Sequence, residues 1–275
     1  MKARRLVRGL LVLLVLVPAA GMSRPALAAS VCAPHATRLS AGQGSPDDLL
    51  VDGSRILFSD IHSGTVASER GGRVTTLIGG LSTPEGMVLR NPDSLVVVEQ
   101  GLNRLDRVDL RNGHRSVLLQ MPNTTGQEGV DGIGQAPDGG IYIPDSPNGR
   151  LLLLNRGGRL TTLTTELSRP VDAISFQGGV AVADENANAI WLVHGGQVQR
   201  LATLSIPDDV VLFKGHLLAV TLGDKGLWEV WPHRRLLLGG WSSPQGLAAS
   251  SSMGVLVADS NANGLFRVTG LASCL

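Results

Sequence analysis

The stretch "GVLVADSNANGLFRV", residues 254–268, decides the fold because the chain spells nearly the same pattern earlier, as "GVAVADENANAIWLV" at residues 179–193. Both stretches read as an apolar strand that ends in an aspartate, a small polar turn and a second apolar strand. Asp184 and Asp259 hold the equivalent position in the two copies. Recurrence at a fixed period is typical of a repeat architecture, so further copies are expected along the chain.

Six copies of this pattern can be counted, each opened by Pro or a substitute, two polar or small residues and an apolar one. The six openings are PDDL at 46, PEGM at 84, VDGI at 130, PVDA at 170, PDDV at 207 and PQGL at 244. The strand that follows ends at Asp60, Glu99, Asp145, Asp184, Thr221 and Asp259, at intervals of 39, 46, 39, 37 and 38 residues. Four short strands in ~40 residues are typical of a propeller blade. We therefore predict an all-β, six-bladed β-propeller of four-stranded antiparallel blades. A β-sandwich with regular turns is the alternative, and it would make the six in-phase copies a coincidence.

The two ends of the chain are predicted to close the ring. The last copy has three strands and then only "GLASCL", whereas the segment "HATRLS" at residues 35–40 supplies a spare strand. We predict that this N-terminal strand completes the sixth blade. Cys32 would then lie just before the outer strand and Cys274 just after the third one. Two cysteines in an exported chain indicate a disulfide, which would join these strands.

Residues 1–28 have the organisation of a secretory signal peptide, which leaves residues 29–275 as a single propeller domain. A basic segment precedes an apolar run at residues 10–17, and "ALA" at residues 26–28 is a small-x-small cleavage site. Cleavage would remove five positive residues and no acids, so a net charge of +1 would become −4. We expect a secreted, periplasmic or cell-surface monomer that neither binds nucleic acid nor spans a membrane after cleavage.

The segment "SPQGLAASSSMGVLVADSNANGLFRV", residues 243–268, resembles an NHL-type repeat. Copies four and six match that repeat best, copies one to three match it moderately, and copy five replaces the acid with Thr221. The resemblance covers the chain after residue 28 and implies a six-bladed propeller. The architecture is shared by the gluconolactonase and senescence-marker family, strictosidine synthase-like proteins, streptogramin lyase-like proteins and non-catalytic NHL modules. The fold therefore does not choose among these functions.

Acidic residues gather where each copy enters its innermost strand, beside the pore. The residues after each opening position are Asp47, Glu85, Asp131, Val171, Asp208 and Gln245, and those one further are Asp48, Gly86, Gly132, Asp172, Asp209 and Gly246. Crowded carboxylates raise one another's pKa unless a cation neutralises them. Ligands that are all oxygen fit Ca²⁺ or another hard divalent cation. The alternative is that these acids cap tight turns and bind no metal.

The gluconolactonase-type family is similar in placing metal ligands at this position, as a Glu, an Asn three blades on and an Asp one blade further. Glu85, Asp208 and Gln245 fit that spacing, with Asp in place of Asn and Gln in place of Asp. A second phasing around the ring, through Asp208, Glu85 and Asp131, fits it as well. The metal ligands we predict are Glu85, Asp131 and Asp208, assisted by Gln245.

Three further acids and one histidine complete the candidates near the pore. His62 is the histidine that maps to the pore-mouth face, where it is a candidate general base, and Asp209 is a second catalytic candidate. Asp47 and Asp172 are expected to contact a bound ligand. A lone exposed histidine and structural aspartates are the alternatives.

One insertion lengthens the step from copy two to copy three. The excess is "MPNTTGQEG", residues 121–129, a polar segment on the pore-mouth face. Long loops often act as lids or specificity elements, so Gln127 and Glu128 are expected to reach a ligand. A tolerated surface insertion is the alternative.

Two functions remain open on these observations. The first is a metal-dependent hydrolase that acts on a small lactone or ester at the acidic pore mouth. The second is a non-catalytic propeller that binds a peptide, glycan or protein partner on the same face. The density of acids and the polar insertion favour the hydrolase, whereas the imperfect ligand triad favours the binding module.

Overall fold

A computed structural model describes residues 32–42 and 44–275 of the chain. Six four-stranded antiparallel sheets follow one another along the chain and form a six-bladed β-propeller, which confirms the predicted fold. The predicted signal peptide at residues 1–28 lies outside the described residues. No helix in the described part of the chain is long and apolar enough to cross a bilayer.

The described residues form 24 strands and three short 3₁₀ helices. In chain order the strands are β1 (His35–Ala41), β2 (Pro46–Asp52), β3 (Arg55–Asp60), β4 (Thr65–Arg70), β5 (Arg73–Ile78), β6 (Pro84–Asn91), β7 (Ser94–Glu99), β8 (Arg104–Asp109), β9 (Arg115–Gln120), β10 (Gly134–Gln135), β11 (Ile141–Asp145), β12 (Arg150–Leu154), β13 (Leu160–Thr164), β14 (Pro170–Phe176), β15 (Gly179–Asp184), β16 (Ala189–His194), β17 (Gln197–Thr203), β18 (Pro207–Phe213), β19 (His216–Thr221), β20 (Gly226–Trp231), β21 (Arg235–Gly239), β22 (Pro244–Ser250), β23 (Gly254–Asp259) and β24 (Gly264–Thr269). The 3₁₀ helices are Gln100–Leu102, Ser146–Asn148 and Leu271–Ser273. Blades one to five each take four consecutive strands from β2 onward, innermost strand first, and blade six takes β22, β23, β24 and β1.

The ring closes as predicted, because β1 pairs antiparallel with β24 and becomes the outermost strand of blade six. Cys32 and Cys274 form a disulfide with a Cα–Cα distance of 4.8 Å, across a sequence separation of 242 residues. The bond joins the segment that precedes β1 to the segment that follows β24. It therefore holds together the one blade whose strands come from both ends of the described chain.

The hydrophobic core lies between neighbouring blades. The middle strands of each blade are covered on both faces, so they read as continuous apolar runs rather than alternating ones, as in Leu95–Val98. Leu57 of blade one packs with Met87 and Leu95 of blade two in one such cluster. Face-to-face packing of this kind repeats around the ring and fixes the distance of each innermost strand from the axis.

The acid that recurs at the end of the second strand has a structural explanation. Asp259 accepts hydrogen bonds from the backbone N–H groups of Ser242 and Ser243, which precede β22. It also accepts one from the N–H of Ala262, in the turn between β23 and β24. Asp184 binds Ser168, Arg169 and Ala187 in the same way. One carboxylate thus satisfies backbone N–H groups in two turns, the turn before the first strand of the blade and the turn after its second strand. This double role explains why the acid recurs at the same place in the repeats.

Five of the six innermost strands carry a register shift next to their first residue, and the two-residue strand β10 is the exception. The shift lies between Pro46 and Leu49 in blade one, and equivalent shifts occur in β6, β14, β18 and β22. A bulge bends the strand and re-aims the extra side chains. The bulge falls on the positions where the acids cluster, so it controls their direction.

The innermost strand of blade three is shorter and begins later than the sequence copy that opens at residue 130. This strand is only Gly134–Gln135. The backbone N–H of Gly132 is donated to the carbonyl of Val171 in the next blade, at 2.6 Å, instead of to its own sheet. Pro144 of β11 also has no N–H to offer the missing part of the strand.

We expect the double substitution C32S/C274S to lower the free energy of unfolding by about 2–5 kcal/mol, because the disulfide closes a very long loop. The corresponding drop in melting temperature is roughly 6–15 °C, measurable by calorimetry. The control is Ala272→Ser, which adds a hydroxyl at an exposed position in the same segment. An unchanged melting temperature in C32S/C274S would show that pairing of β1 with β24 alone closes the ring.

Candidate functional site

Acidic side chains from the starts of the innermost strands meet around the propeller axis in two layers, which we call the hub. The upper layer consists of Asp47, Glu85, Asp131, Asp208 and Gln245, and the lower layer consists of Asp48, Asp172 and Asp209. Most of them line a cavity of about 20 Å³ on the axis, the size of one water molecule or one ion. Regular alternation would send neighbouring side chains to opposite faces, and the bulges explain why both positions reach the axis.

The lower layer ties each blade to the next. Asp48 Oδ2 accepts the N–H of Met87 at 2.5 Å, and Asp209 Oδ2 accepts the N–H of Leu247 at 2.5 Å. Asp172 Oδ2 binds the N–H of Val210 at 3.1 Å in the same way. These bonds support the structural alternative for Asp172 and Asp209, since each carboxylate already has a backbone donor from the adjacent blade.

Where the lower layer has no acid, glycine lets the blades touch. A Cβ at Gly246 would overlap the carbonyl oxygen of Asp47, and a Cβ at Gly132 would overlap that of Val171. Around the axis, each blade therefore meets its neighbour either through an aspartate that accepts an N–H or through a glycine in close backbone contact. Any larger residue at the glycine positions would force the blades apart.

The upper layer concentrates negative charge away from water. Asp47 and Glu85 are each only 6% exposed, and the Glu85 carboxyl donates a hydrogen bond to the Asp47 carboxylate. Burial raises the pKa of Glu85 well above its usual value, and the charges of Asp47 and Asp131 raise it further. Asp208 behaves alike, since burial raises its pKa and the charges of Asp131 and Asp47 add to the effect. Burial and neighbouring charges therefore favour the protonated form of these carboxyls when no cation is bound.

Asp131 differs from the other hub carboxyls because the positive charge of Arg169 partly offsets its negative charge. Burial raises its pKa to about 7, the charge of Asp47 adds to the rise, and Arg169 opposes it. Arg169 Nη2 donates to Asp131 Oδ2 at 3.1 Å, and Gln100 Nε2 donates to the same oxygen at 3.3 Å. Asp131 is thus the hub carboxyl whose protonation changes near neutral pH.

Arg169 also anchors the insertion between blades two and three. Its Nη2 contacts Glu128 Oε2 at 3.0 Å, and its Nη1 pairs with Glu185. Gln127 and Glu128 line a polar pocket of about 420 Å³ beside the hub, together with Thr83, Gln100, Gly101, Asn103, Asn123, Thr124 and Gly129. The insertion therefore stands next to the hub rather than on a remote surface, as the prediction for Gln127 and Glu128 requires.

The structure does not bring His62 to the hub. Its backbone N–H binds Asp60 Oδ1 at 3.0 Å in the turn between β3 and β4, its side chain is exposed, and it does not line the axial cavity. The turn lies on the expected face, but the imidazole is not next to the carboxyls. The predicted role of His62 as a general base has no support from this placement.

Sequence reasoning missed Arg169 and Gln100 because it searched the openings of the repeats for acids. Residues equivalent to Arg169, just before the first proline of a blade, are Ser45, Thr83, Ile206 and Ser243. A single cation at that repeat position, beside an acidic ring, was the signal that could have identified it. Gln100 carries no comparable signal, since it follows Glu99 in a 3₁₀ turn.

The donor chemistry of the hub fits a hard cation, although no coordination group is preformed. All candidate donors are oxygen atoms, and the buried Oδ2 of Asp47 has no hydrogen-bond partner within the described residues. In residues 32–42 and 44–275, however, no three His, Cys, Asp or Glu side chains converge in an arrangement that would hold a metal ion. Cation binding would require the shared protons to leave and the carboxyls to shift.

Solved structures with the same fold have diverse functions. A gluconolactonase from Xanthomonas campestris superposes with a TM-score of 0.73 at 15% identity, over 90% of this chain and 93% of that one. Virginiamycin B lyase from Staphylococcus aureus gives 0.65 at 12% identity, over 86% and 99% of the two chains. A chain of a nidogen/laminin complex gives 0.60 at 18% identity, over 72% and 89%. No protein-family model and no curated protein matches the sequence. These similarities define a six-bladed β-propeller and leave its function to the site.

We expect the cation-free protein to melt at a higher temperature at pH 5 than at pH 8, by at least ~3 °C. The folded-state pKa of Asp131, about 7, lies above the unfolded value near 4, so the folded protein binds more protons between these two values. Its contribution to stability therefore falls as pH rises from about 4 to 7 and then levels off.

Thermal melts in chelator across this pH range measure the effect. Asp131→Asn should flatten the profile, whereas Asp138→Asn, which removes a charge from an exposed turn, should not. A melting temperature that rises from pH 5 to pH 8 in the unsubstituted protein would contradict the electrostatic description of the hub.

Proposed function

We propose that this protein is a hydrolase that acts on a small lactone or ester with the help of a hard divalent cation, Ca²⁺ or a similar ion, held at the hub. The observation that carries the proposal is the buried cluster of carboxyls around a cavity of about 20 Å³, with an unpartnered Asp47 oxygen. A bound cation would remove the cost of burying these like charges. The gluconolactonase that shares the fold adds support at the level of reaction class.

Asp47, Glu85 and Asp208 are the side chains that would hold the cation, assisted by the amide oxygen of Gln245. They belong to the upper layer, and no basic side chain forms an ion pair with them among the described residues. Asp131 was predicted as a ligand too, but its Oδ2 is already bound by Arg169 and Gln100. We therefore assign it a different role.

Asp131 is suited to proton transfer at neutral pH. When bound, the cation polarises a substrate carbonyl and lowers the pKa of a water molecule. Asp131 lies outside the proposed ligand set, and it would take a proton from water at Oδ1 and return it to the leaving oxygen. Arg169 and Gln100 hold the carboxylate in place through Oδ2, which leaves Oδ1 directed to the reaction.

The polar pocket beside the hub would bind the remainder of the substrate. Its amide and hydroxyl side chains, which include Gln100, Asn123 and Gln127, can donate to and accept from hydroxyl groups. Hydrogen bonds from such side chains discriminate between polar ligands more strongly than apolar contacts do. The insertion would thus select the substrate, while the hub performs the chemistry.

A non-catalytic propeller that binds a peptide, glycan or protein partner on the same face is the second candidate. The observation that favours it is the absence of a preformed metal-coordinating group in the described part of the chain. In that case Arg169, Glu128 and Asp131 would form a fixed ion-pair network at a recognition surface. The propeller in the nidogen/laminin complex has the same fold without a lactonase description.

We also propose that the chain is exported and works as a monomer outside the cytoplasm. The Cys32–Cys274 disulfide supports this location, because such bonds persist in oxidising compartments. Expression with and without residues 1–28, followed by cell fractionation, tests the proposal.

Calcium should raise the melting temperature, with ~2.7 kcal/mol of stabilisation when the ion is at about 100 times its dissociation constant. Glu85→Gln and Asp208→Asn should each abolish most of that rise, because each removes a charged donor from the hub. The matched control is Asp138→Asn, which removes the same charge from an exposed turn and should leave the calcium effect intact. No rise with calcium, magnesium or manganese would exclude a cation at the hub.

Hydrolysis of a panel of small lactones and aryl esters, with chelator and with metal added back, tests the reaction itself. We expect activity that depends on metal and is lost by at least ~100-fold in Asp131→Asn, the usual magnitude for loss of a general base. Gln127→Ala should raise KM several-fold with little change in kcat, since it removes uniform binding. Calcium-dependent stability without any hydrolysis would favour the binding module.

A further inference from the structure

A second cavity runs along the axis on the other side of the lower acid layer. It measures about 470 Å³ and is lined by the innermost strands of all six blades. Its lining starts at the lower acid layer and continues along each innermost strand, for example from Asp48 to Val51 and from Asp209 to Val211. Because the hub stands at the openings of these strands, the cavity leads to the opposite face. We call it the far channel.

The far channel combines apolar walls with an acidic floor. Each blade contributes aliphatic side chains to the wall, among them Leu50, Leu89, Ile133, Ile174, Val211 and Ala249. The floor consists of Asp48, Asp172 and Asp209, and none of the described residues that line the cavity is a Lys, Arg or His. A volume of this size is ordinary for a small-molecule site, and such sites are mostly apolar with a few convergent polar groups.

The floor has hydrogen-bonding capacity that the backbone does not fully use. Asp172 and Asp209 each give one oxygen to a backbone N–H of the next blade, whereas the two oxygens of Asp48 accept the N–H groups of Leu49 and Met87. Just behind the floor, the buried Oδ2 of Asp47 borders the axial cavity without a partner. No basic side chain within the described residues compensates the three floor carboxyls.

We propose that the far channel binds an aliphatic primary ammonium, with its head group at the floor and its hydrocarbon chain along the walls. Three N–H donors on one small cation match three carboxyls around an axis, and charge-assisted bonds of this kind are the strong ones. On the aliphatic side a metal ion would find only the uncharged side-chain oxygens of Gln135 and Ser250 among the described lining residues. A neutral or anionic amphiphile would find the same walls but no complementary head-group site. This site opens on the other face from the proposed hydrolase reaction, and the proposal does not require that reaction to occur.

Calorimetric titration of the metal-free protein at pH 7 with n-octylammonium chloride tests the site. We expect saturable binding of one molecule per chain, with 1-octanol at least about tenfold weaker and octanoate not bound. Since the titration is made in chelator and scores binding alone, its failure would leave the metal and hydrolysis experiments on the hub unaffected.

Three variants separate the floor from the walls. Asp172→Asn keeps an oxygen for the N–H of Val210 but removes the charge, so it should weaken octylammonium at least tenfold and leave octanol unchanged. Ala249→Phe should weaken both by filling the channel. Gln127→Ala, on the hub face, should change neither. If Asp172→Asn does not fold, the Ala249→Phe variant and the comparison of octylammonium with octanol still test the proposal. Equal affinities for octylammonium and octanol, no saturable octylammonium binding, or an unaffected Ala249→Phe would each overturn the proposal.

Discussion

The close approach of neighbouring innermost strands around the axis is the constraint on which the rest of the structure depends. At each junction the second residue after the opening residue of the repeat is either glycine, as at Gly246, or an aspartate such as Asp209 that accepts an N–H from the next blade. Both solutions satisfy the backbone where the bulge interrupts the regular ladder. The inter-blade apolar clusters then fix how far each strand stands from the axis. The ring is therefore narrow at this level, and whatever side chains point inward are forced together.

That crowding explains the electrostatics of the hub. Aspartates at the second position are useful connectors, but acids at the first position, such as Asp47 and Glu85, find no backbone donor that would account for both oxygens. Burying like charges costs free energy that protons, a basic side chain or a bound cation can reduce. In the described structure Arg169 provides a basic partner at Asp131, and the raised pKa values of Glu85 and Asp208 reflect the same cost at the other carboxyls. A site with so much uncompensated charge is adapted to receive a cation, and this is a property of the whole ring rather than of any one blade.

Much of the fold was readable from the sequence because its determinants are local. The aspartates at 184 and 259 recur since each one satisfies two turns, and the spare strand and paired cysteines indicated the ring closure. The hub was only partly readable. Alternation in a regular strand would place Asp47 and Asp48 on opposite sides, and only the bulge brings both to the axis. The role of Arg169 was not predicted from the sequence, because its partners Glu128, Asp131 and Glu185 come from separate segments. The face of the His62 turn could be inferred, whereas the direction of its side chain could not.

The two acid layers also divide the axis into environments of opposite character. On the hub side, polar loops surround the upper layer, and the insertion adds amide and hydroxyl groups that suit a polar ligand. On the other side, aliphatic residues from six strands leave the lower layer as the only charged surface of the far channel. Asp48, Asp172 and Asp209 border both spaces, so their charge is felt from either face. A cation bound on one side lowers the negative potential that attracts a cation on the other. Occupation of the hub and of the far channel should consequently be antagonistic, and by linkage the antagonism is the same in both directions.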